Sequence, residues 1–184
     1  MRLFVSIDLP ETLTESVRAV QAEFEGASGL TFTDPSQVHV TLRFLGDVDE
    51  DELPEVTRAV AEAVAAADVE PFTATFGGLG VFPSLDYISV VWLGVTDGGE
   101  QMTRLFQRIE SRVVDLGFEP ERHAFTPHVT LARMKHAGGK EHVQETVETL
   151  DPEVGSMPVE EVRLTESQLG REGPVYATVE RFPL

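Results

Sequence analysis

Two short stretches of the sequence place a histidine and a threonine two residues apart in strand-like surroundings. The stretch VHVTLRF contains His39 and Thr41, and the stretch PHVTLARM contains His128 and Thr130. A histidine titrates near neutral pH and can exchange a proton with a substrate, and a threonine hydroxyl can donate a hydrogen bond to an anion. Two such pairs supply an acid, a base and two donors. This inventory suits metal-free attack at a phosphorus atom.

In the first stretch, strand alternation predicts two opposite faces. The apolar face, which suits a core, carries Val38, Val40, Leu42 and Phe44. The polar face carries His39, Thr41 and Arg43, with successive side chains about 7 Å apart. A guanidinium can bind phosphate oxygens in pairs, although Arg43 is equally suited to a surface ion pair.

In the second stretch, the same alternation turns Val129 and Leu131 inward and leaves His128 and Thr130 on the open face. Arg133 has the wrong parity for the open face unless the strand ends or bulges before it. Its place beside the histidine is therefore an open point.

The remaining elements repeat in order, which predicts an internal duplication around the two stretches. A strand at MRLFVSIDL, a helix from Pro10 and the first stretch are followed by a helix at DEDELPEVTRAVAEAVAAAD and two further strands flanking GGLGVFP. A third helix ending at Gly117, the second stretch, a fourth helix at GGKEHVQETVETL and a hairpin joined by QLGREG follow. This order predicts a single α+β domain over residues 1–184. Its two lobes each hold an antiparallel sheet with helices, and they face each other across a cleft.

The composition indicates a globular protein with an unusual charge. Of 184 residues 41% are hydrophobic, none is cysteine, and the net charge is −18. Lys135 and Lys140 are its two lysines. In molar salt the Debye length falls to roughly 3 Å, so this surface suits a salt-rich cytoplasm, the alternative being an ordinary acidic protein.

The charge and hydropathy also limit location and partners. The start of the chain has no secretory pattern and no apolar run could span a membrane, so a cytoplasmic protein without membrane contact is expected. No basic patch is available for tracking a long nucleic acid, so such a ligand would be held locally, at one end.

Each candidate also has an ordinary structural interpretation. A single strand histidine is usually structural or solvent-exposed, but two matched copies with matched threonines argue against that reading here. His136 and His142 are expected to be exposed, and His123 belongs to the loop before the second stretch. GGLGVFP is expected to be a turn, since it lacks the Gly-Lys-Ser/Thr of a phosphate-binding loop. No metal-ligand motif is present, and neither metal nor cofactor is expected.

Several segments, in order along nearly the whole chain, carry a resemblance to a known family. These are MRLFVSIDLP, HVTLRFLGDV, GGLGVFP, VVWLGV, GFEPERHAFTPHVTLAR and SQLGREGPVY. Together they resemble the two-histidine phosphoesterase superfamily, and within it the RNA 2′,3′-cyclic phosphodiesterases, also called 2′-5′ RNA ligase-like proteins. The chain departs from many relatives at Phe32, where they carry tryptophan, and at Asp86 and Tyr87, near which they carry arginine.

The resemblance implies a bilobal α+β fold and a metal-independent activity. Family members open a terminal 2′,3′-cyclic phosphate of RNA or of a nucleoside to a 2′-phosphomonoester. It implies that His39 is the proton donor and His128 the proton acceptor, although the near-identical motifs do not themselves decide which is which. Substrate-binding roles follow for five residues, namely Thr41, Thr130, Arg133, Arg43 and Phe44. Phe44 would stack on a base, in conflict with its core position by alternation.

Other outcomes stay open at this point. Some family members also join RNA ends through a 2′-5′ linkage, but water at about 55 M favours hydrolysis. A non-catalytic protein that binds RNA ends or nucleotides in the same cleft is the alternative to an enzyme. A monomer is expected.

Overall fold

The computed structural model describes residues 1–184, which form nine β-strands. The strands are β1 (Arg2–Asp8), β2 (Leu30–Phe32), β3 (His39–Asp47), β4 (Phe72–Pro83), β5 (Ile88–Asp97), β6 (His128–Met134), β7 (Glu153–Val159), β8 (Glu161–Gly170) and β9 (Gly173–Pro183). The predicted strands are confirmed, whereas β2 and β7 were not expected from the sequence.

Four α-helices lie between the strands, as the apolar periodicity predicts. They are α1 (Thr14–Ala22), α2 (Leu53–Ala67), α3 (Gly99–Asp115) and α4 (Lys140–Thr149). Short 3₁₀ turns at Glu11–Leu13 and Glu50–Glu52 precede the first two helices. None of the helices is long and apolar enough to cross a membrane.

The strands follow one another in the order β7-β4-β5-β6-β3-β1-β8-β9, and β2 pairs with β6. All neighbouring strands pair in antiparallel fashion. At the centre of the order, β3 and β6 pair through the single residue pair Val40 and Val129. This narrow junction divides the sheet into two halves, so the predicted α+β class and two-lobed arrangement are confirmed.

The two lobes do not coincide with the two halves of the sequence. One lobe combines β3 and β1 with the C-terminal β8 and β9, and the other combines β6 and β5 with β4 and β7. The predicted repeat is present as strand, helix, HVT strand, helix, strand. In the first repeat the strand after the second helix, β4, crosses to the other lobe and pairs with β5. In the second repeat β7 follows the helix and stays in its own lobe beside β4, and the next strand, β8, crosses to pair with β1. The backbone therefore crosses between the lobes through strands of both repeats, which links the two lobes covalently and by strand pairing.

The glycine-rich stretch GGLGVFP is part of the long strand β4 and not the predicted turn. Gly80 pairs with Trp92 across the sheet, and a Cβ atom at Gly80 would lie 2.1 Å from the Trp92 ring. The glycine thus gives room for an indole lying on the neighbouring strand. Behind both lobes, one hydrophobic cluster of 38 buried residues joins the helices to the sheet.

Candidate active site

The Val40–Val129 pair brings the two histidine-threonine stretches side by side. Both valines are fully buried, so the residues that flank them lie on the opposite, open face of the sheet. Across an antiparallel pair, directly opposed Cβ atoms are about 5 Å apart and diagonal ones roughly 7–8 Å apart. His39 and His128 are diagonal neighbours across this pair. A phosphate group fits between two imidazoles at that separation.

Each stretch contains a bulge at the same position after its threonine. The pairing of β1 with β3 passes from Thr41 to Arg43 and leaves out Leu42. The pairing of β5 with β6 passes from Thr130 to Ala132 and leaves out Leu131. An extra residue reverses the face of every side chain that follows it. The fifth residue after each histidine therefore returns to the open face.

The bulge overturns the predicted position of Arg43. Its side chain is 7% exposed and turns away from the open face. There it pairs with Glu110 and donates to the backbone oxygens of Phe44 and Glu119. A buried guanidinium with three acceptors has the environment of a structural group, and Arg43 lies outside the residues that line the central cavity.

The two bulges settle two positions that alternation left open, that of Phe44 on β3 and that of Arg133 on β6. Phe44, assigned to the core by alternation, is 42% exposed on the open face, where the Arg2 guanidinium lies 5.0 Å from its ring centre. It lies outside the lining of the central cavity, and its stacking role stays a prediction. Arg133 occupies the matching position in β6 and points into the cavity with the histidines. The required bulge before it is present.

A cavity of about 790 Å³ opens over the junction of the lobes. Five residues proposed from the sequence line it together, namely His39, Thr41, His128, Thr130 and Arg133. Its rim includes Phe32, Arg171 at the tip of the β8–β9 hairpin, and Tyr176 on β9. The sequence did not assign a role to the last two. Their one signal was the segment SQLGREGPVY, which carries part of the family resemblance and contains the predicted hairpin connection QLGREG.

Both imidazoles are held in the same orientation by a carbonyl two residues upstream. His39 Nδ1 donates to the Gln37 oxygen at 3.0 Å, and His128 Nδ1 donates to the Thr126 oxygen at 2.6 Å. A carbonyl only accepts, so each neutral ring carries its proton on Nδ1. Nε2 of each ring is left as the nitrogen that can exchange a proton with a substrate.

Aromatic rings surround each imidazole. His39 stacks on Phe4 at 4.8 Å between centres and meets the edge of Tyr176 at 5.1 Å. His128 meets Phe82 edge to face at 5.0 Å, with Trp92 at 5.9 Å. These rings fix the imidazoles and exclude water from one side of each.

This burial lowers the pKa of both histidines below the ordinary 6.5. For His39, the Gln37 carbonyl and the Asp8 carboxylate oppose the effect on the pKa, and Arg133 adds to it. For His128, the Thr126 carbonyl opposes the lowering of the pKa, whereas Arg133 and His39 add to it. The site therefore favours neutral imidazoles, and His39 alone has a carboxylate that favours its protonated form.

The strand partners of the two histidines explain this difference. Asp8 stands directly opposite His39, and Gly94 stands directly opposite His128. A Cβ atom at Gly94 would lie 2.8 Å from the Gly77 oxygen, so no side chain fits there without displacing backbone. The two motifs are alike in sequence, and their cross-strand partners make them electrostatically different.

The other histidines lie apart from the cavity. His123 is exposed in the loop before β6, and His136 is exposed after it. His142 on α4 shares a hydrogen bond with the Glu23 backbone oxygen. No group of three or more histidine, aspartate or glutamate side chains is arranged to hold a metal ion.

Known proteins resemble this chain over its whole length. The profile of the 2′-5′ RNA ligase superfamily matches residues 6–171. The chain is 37% identical over 186 residues to an RNA 2′,3′-cyclic phosphodiesterase of Methanothermobacter thermautotrophicus, covering 100% of this chain and 99% of that protein. It is 34% identical over 183 residues to an RNA 2′,3′-cyclic phosphodiesterase of Archaeoglobus fulgidus, covering 99% of both.

Solved structures show the same architecture. A protein of Thermus thermophilus superimposes with a TM-score of 0.81 at 31% identity, covering 100% of this chain and 98% of that one. E. coli LigT complexed with 3′-AMP superimposes with a TM-score of 0.79 at 26% identity, covering 100% and 97%.

Proposed function

The chain belongs to the 2′-5′ RNA ligase superfamily, and from that premise we propose that it is an RNA 2′,3′-cyclic phosphodiesterase. The family resemblance drawn from the motifs is thereby confirmed. The reaction is hydrolysis of a terminal 2′,3′-cyclic phosphate to a 2′-phosphomonoester. The observation that carries the proposal is the Val40–Val129 pair, which brings two histidines with free Nε2 atoms to one cavity.

The two imidazoles divide the proton transfers between them. His128 Nε2 takes a proton from water as the water oxygen bonds to phosphorus. The bond from phosphorus to the 3′ oxygen breaks, and protonated His39 delivers its proton to that oxygen. The products are a 2′-phosphate and a free 3′-hydroxyl. Solvent then returns His128 to its neutral form and His39 to its protonated form.

Asp8 supports this division of roles. A general acid must be protonated before the reaction, and the Asp8 carboxylate favours the protonated form of His39. His128 has Gly94 as its strand partner and the Arg133 cation nearby, both of which suit a neutral base. Asp8 is a positioning residue in this scheme, since it acts through His39.

In the proposed mechanism three further groups hold the phosphate. The hydroxyls of Thr41 and Thr130 and the guanidinium of Arg133 line the cavity beside the imidazoles. Their donors match the non-bridging oxygens, on which negative charge builds up during attack. Arg43 has no part in this set.

The proposal is tested with adenosine 2′,3′-cyclic phosphate, in high potassium chloride and with a chelator present. We expect a 2′-phosphate product, identified by phosphorus NMR. The variants His39→Ala and His128→Ala should each lower kcat about 10²- to 10⁴-fold, and the double variant little further, because the two rings act as a unit. His123→Ala removes an exposed histidine outside the cavity and should leave kcat unchanged.

Three results would contradict the proposal. A 3′-phosphate product would mean that the 2′ oxygen, and not the 3′ oxygen, is the leaving group. Turnover that survives in both single histidine variants would remove the acid and the base from the mechanism. Tight binding of the cyclic phosphate with no product would support a binding protein in place of an enzyme.

A further inference from the structure

The two lysines of this strongly acidic chain lie in one place. Lys135 and Lys140 both line a shallow cavity of about 120 Å³ beside the end of β6 and the start of α4. His136 and the exposed ring of Tyr87 complete its polar and aromatic lining, and Asp86 is its one carboxylate residue. A local concentration of cations on a chain of net charge −18 points to an anionic ligand.

Most cations away from this region are already paired. Six of the fourteen basic residues pair with a carboxylate, and eight do not. Four of those eight line either the catalytic cavity or the smaller one beside it, namely Arg133, Lys135, Lys140 and Arg171. With so many carboxylates available, cations without a carboxylate partner around these two adjoining cavities can bind phosphate.

Lys135 connects the two cavities, since it lines both. It stands two residues beyond Arg133, which puts the two cations about 7 Å apart along one face of the chain. That separation is similar to the distance between consecutive phosphates of an extended RNA strand. A line of cations thus leads from the histidines to the smaller cavity.

The backbone of the smaller cavity is held in place before any ligand binds. The Lys135 N–H donates to the Gly29 oxygen at 2.8 Å, and the Gly29 N–H donates to the Gly138 oxygen at 2.8 Å. Lys140 Nζ donates to the Asp86 backbone oxygen, which draws the two sides of the cavity together. Preorganisation of this kind lowers the entropy cost of binding.

Tyr87 supplies the aromatic surface that a base requires. It is 71% exposed and lies at the rim of the smaller cavity. Aromatic rings bind single-stranded nucleic acid by stacking on bases, whatever their sequence. The lysines and Tyr87 together match a phosphate followed by a base.

We propose that this second cavity binds the nucleotide preceding the one that carries the cyclic phosphate, so that the substrate is an oligoribonucleotide end. The proposal rests on the proposed function, because it takes the histidine cavity as the site of the terminal nucleotide. Lys135 and Lys140 contact the linking phosphates, and Tyr87 stacks on the upstream base. The protein therefore contacts only the last nucleotides of the RNA.

The test compares adenosine 2′,3′-cyclic phosphate with a five-residue oligoadenylate that ends in the same group. Tyr87→Ala should lower kcat/KM for the oligonucleotide about five- to tenfold even in high salt, because stacking is not screened. Lys140→Gln should lower it about three- to tenfold at the lowest salt at which the protein stays folded. It should also reduce the slope of log KM against log salt by about 0.7 for one lost phosphate contact.

The mononucleotide and a matched cation provide the controls. Both variants should keep kcat/KM for adenosine 2′,3′-cyclic phosphate within twofold of the parent. Arg108→Gln removes a cation on α3 that has no carboxylate partner and lies away from both cavities. It should leave kcat/KM unchanged for both substrates. Equal losses on both substrates, or no loss on the oligonucleotide, would overturn the proposal.

A second measurement separates this proposal from the hydrolase itself. Fluorescence anisotropy with an oligoadenylate ending in a 3′-phosphate needs no turnover. If neither cyclic substrate is hydrolysed, the proposed function fails, while weaker binding by Tyr87→Ala and Lys140→Gln still supports the subsite. Unchanged binding in both variants overturns the subsite even if hydrolysis is normal.

Discussion

Replacing Asp8 by asparagine should weaken the general acid without disturbing the base. Asparagine has nearly the same shape and keeps an oxygen to accept the Ser6 hydroxyl, which now donates to Asp8 at 2.9 Å. The change removes the negative charge directly across the strand from His39. With that charge gone, the protonated form of His39 is less stable and its pKa falls further below the ordinary value.

The size of the effect follows from Coulomb's law and the strand geometry. Opposite charges roughly 7 Å apart attract by about 0.6 kcal/mol at the dielectric constant of water and about 2.4 kcal/mol at an effective value of 20. Arg163 pairs with Asp8 at 2.9 Å and offsets part of the field. An offset of about one half leaves about 0.3–1.2 kcal/mol. That range corresponds to about a two- to eightfold change in the protonated fraction of His39.

The assay is the pH profile of kcat/KM, with each imidazole followed by NMR titration. Above the alkaline limb, kcat/KM depends on the remaining protonated His39, so Asp8→Asn should lower it about two- to eightfold and move that limb to lower pH. The acidic limb reports the base and should stay in place. In the NMR titration, the His39 signal should move to lower pH and the His128 signal should not.

The charges around His39 define the control. They come from Asp8 on β1, Arg163 behind it on β8, and Arg133 and His128 on β6. Glu161→Gln removes a carboxylate from the same ion-pair network, since Glu161 pairs with Arg163 at 2.8 Å but does not line the cavity. It should leave both limbs unchanged. An unmoved alkaline limb or higher activity in Asp8→Asn would refute the assignment of His39 as the acid.

Three further predictions concern stability. Arg43→Met should lower the free energy of unfolding by about 2–3 kcal/mol, because it leaves Glu110 without its buried partner. KM for the cyclic phosphate should stay unchanged. A raised KM with normal stability would show that Arg43 binds substrate. Since folding lowers the pKa of His39 and His128, the unfolded chain binds more protons below pH 6.5, so urea midpoints should fall as pH drops from 7.5 to 5.5. A double alanine variant of the two histidines should flatten that dependence, and an equally steep fall in the variant would contradict the cause. With a net charge of −18, the thermal midpoint should rise between 0.1 and 2 M potassium chloride and equally in sodium chloride, and a flat or falling midpoint would show that self-repulsion is unimportant.

Local patterns in the sequence predicted the elements and the central groups of the site. Apolar residues at helical spacing produced four helices where they were expected, since one face of each helix has to be buried. Alternation placed His39 and Thr41 on the open face of a strand, and His128 and Thr130 likewise. These properties depend only on residues close in sequence, so they can be predicted without the fold.

The course of each strand after its threonine depended on a partner strand. Leu42 and Leu131 are left out of the pairing because β1 and β5 set the register, and no local pattern marks either bulge. Arg43 was therefore assigned to the wrong face, and the parity of Arg133 could not be settled. The shared spacing from each histidine to Phe44 and Arg133 was the one signal of a common backbone path.

The sequence by itself determined which residues are chemically able to act, through the two matched histidine-threonine pairs and their spacing. Only the tertiary structure decided how those residues differ and what surrounds them. Asp8 and Gly94 are distant in sequence from the motifs that they face across the sheet. The β8–β9 hairpin, near the C-terminal end of the sequence, reaches the same cavity. Cross-strand pairing and the exchange of strands between lobes create these contacts, and both arise from packing between distant segments.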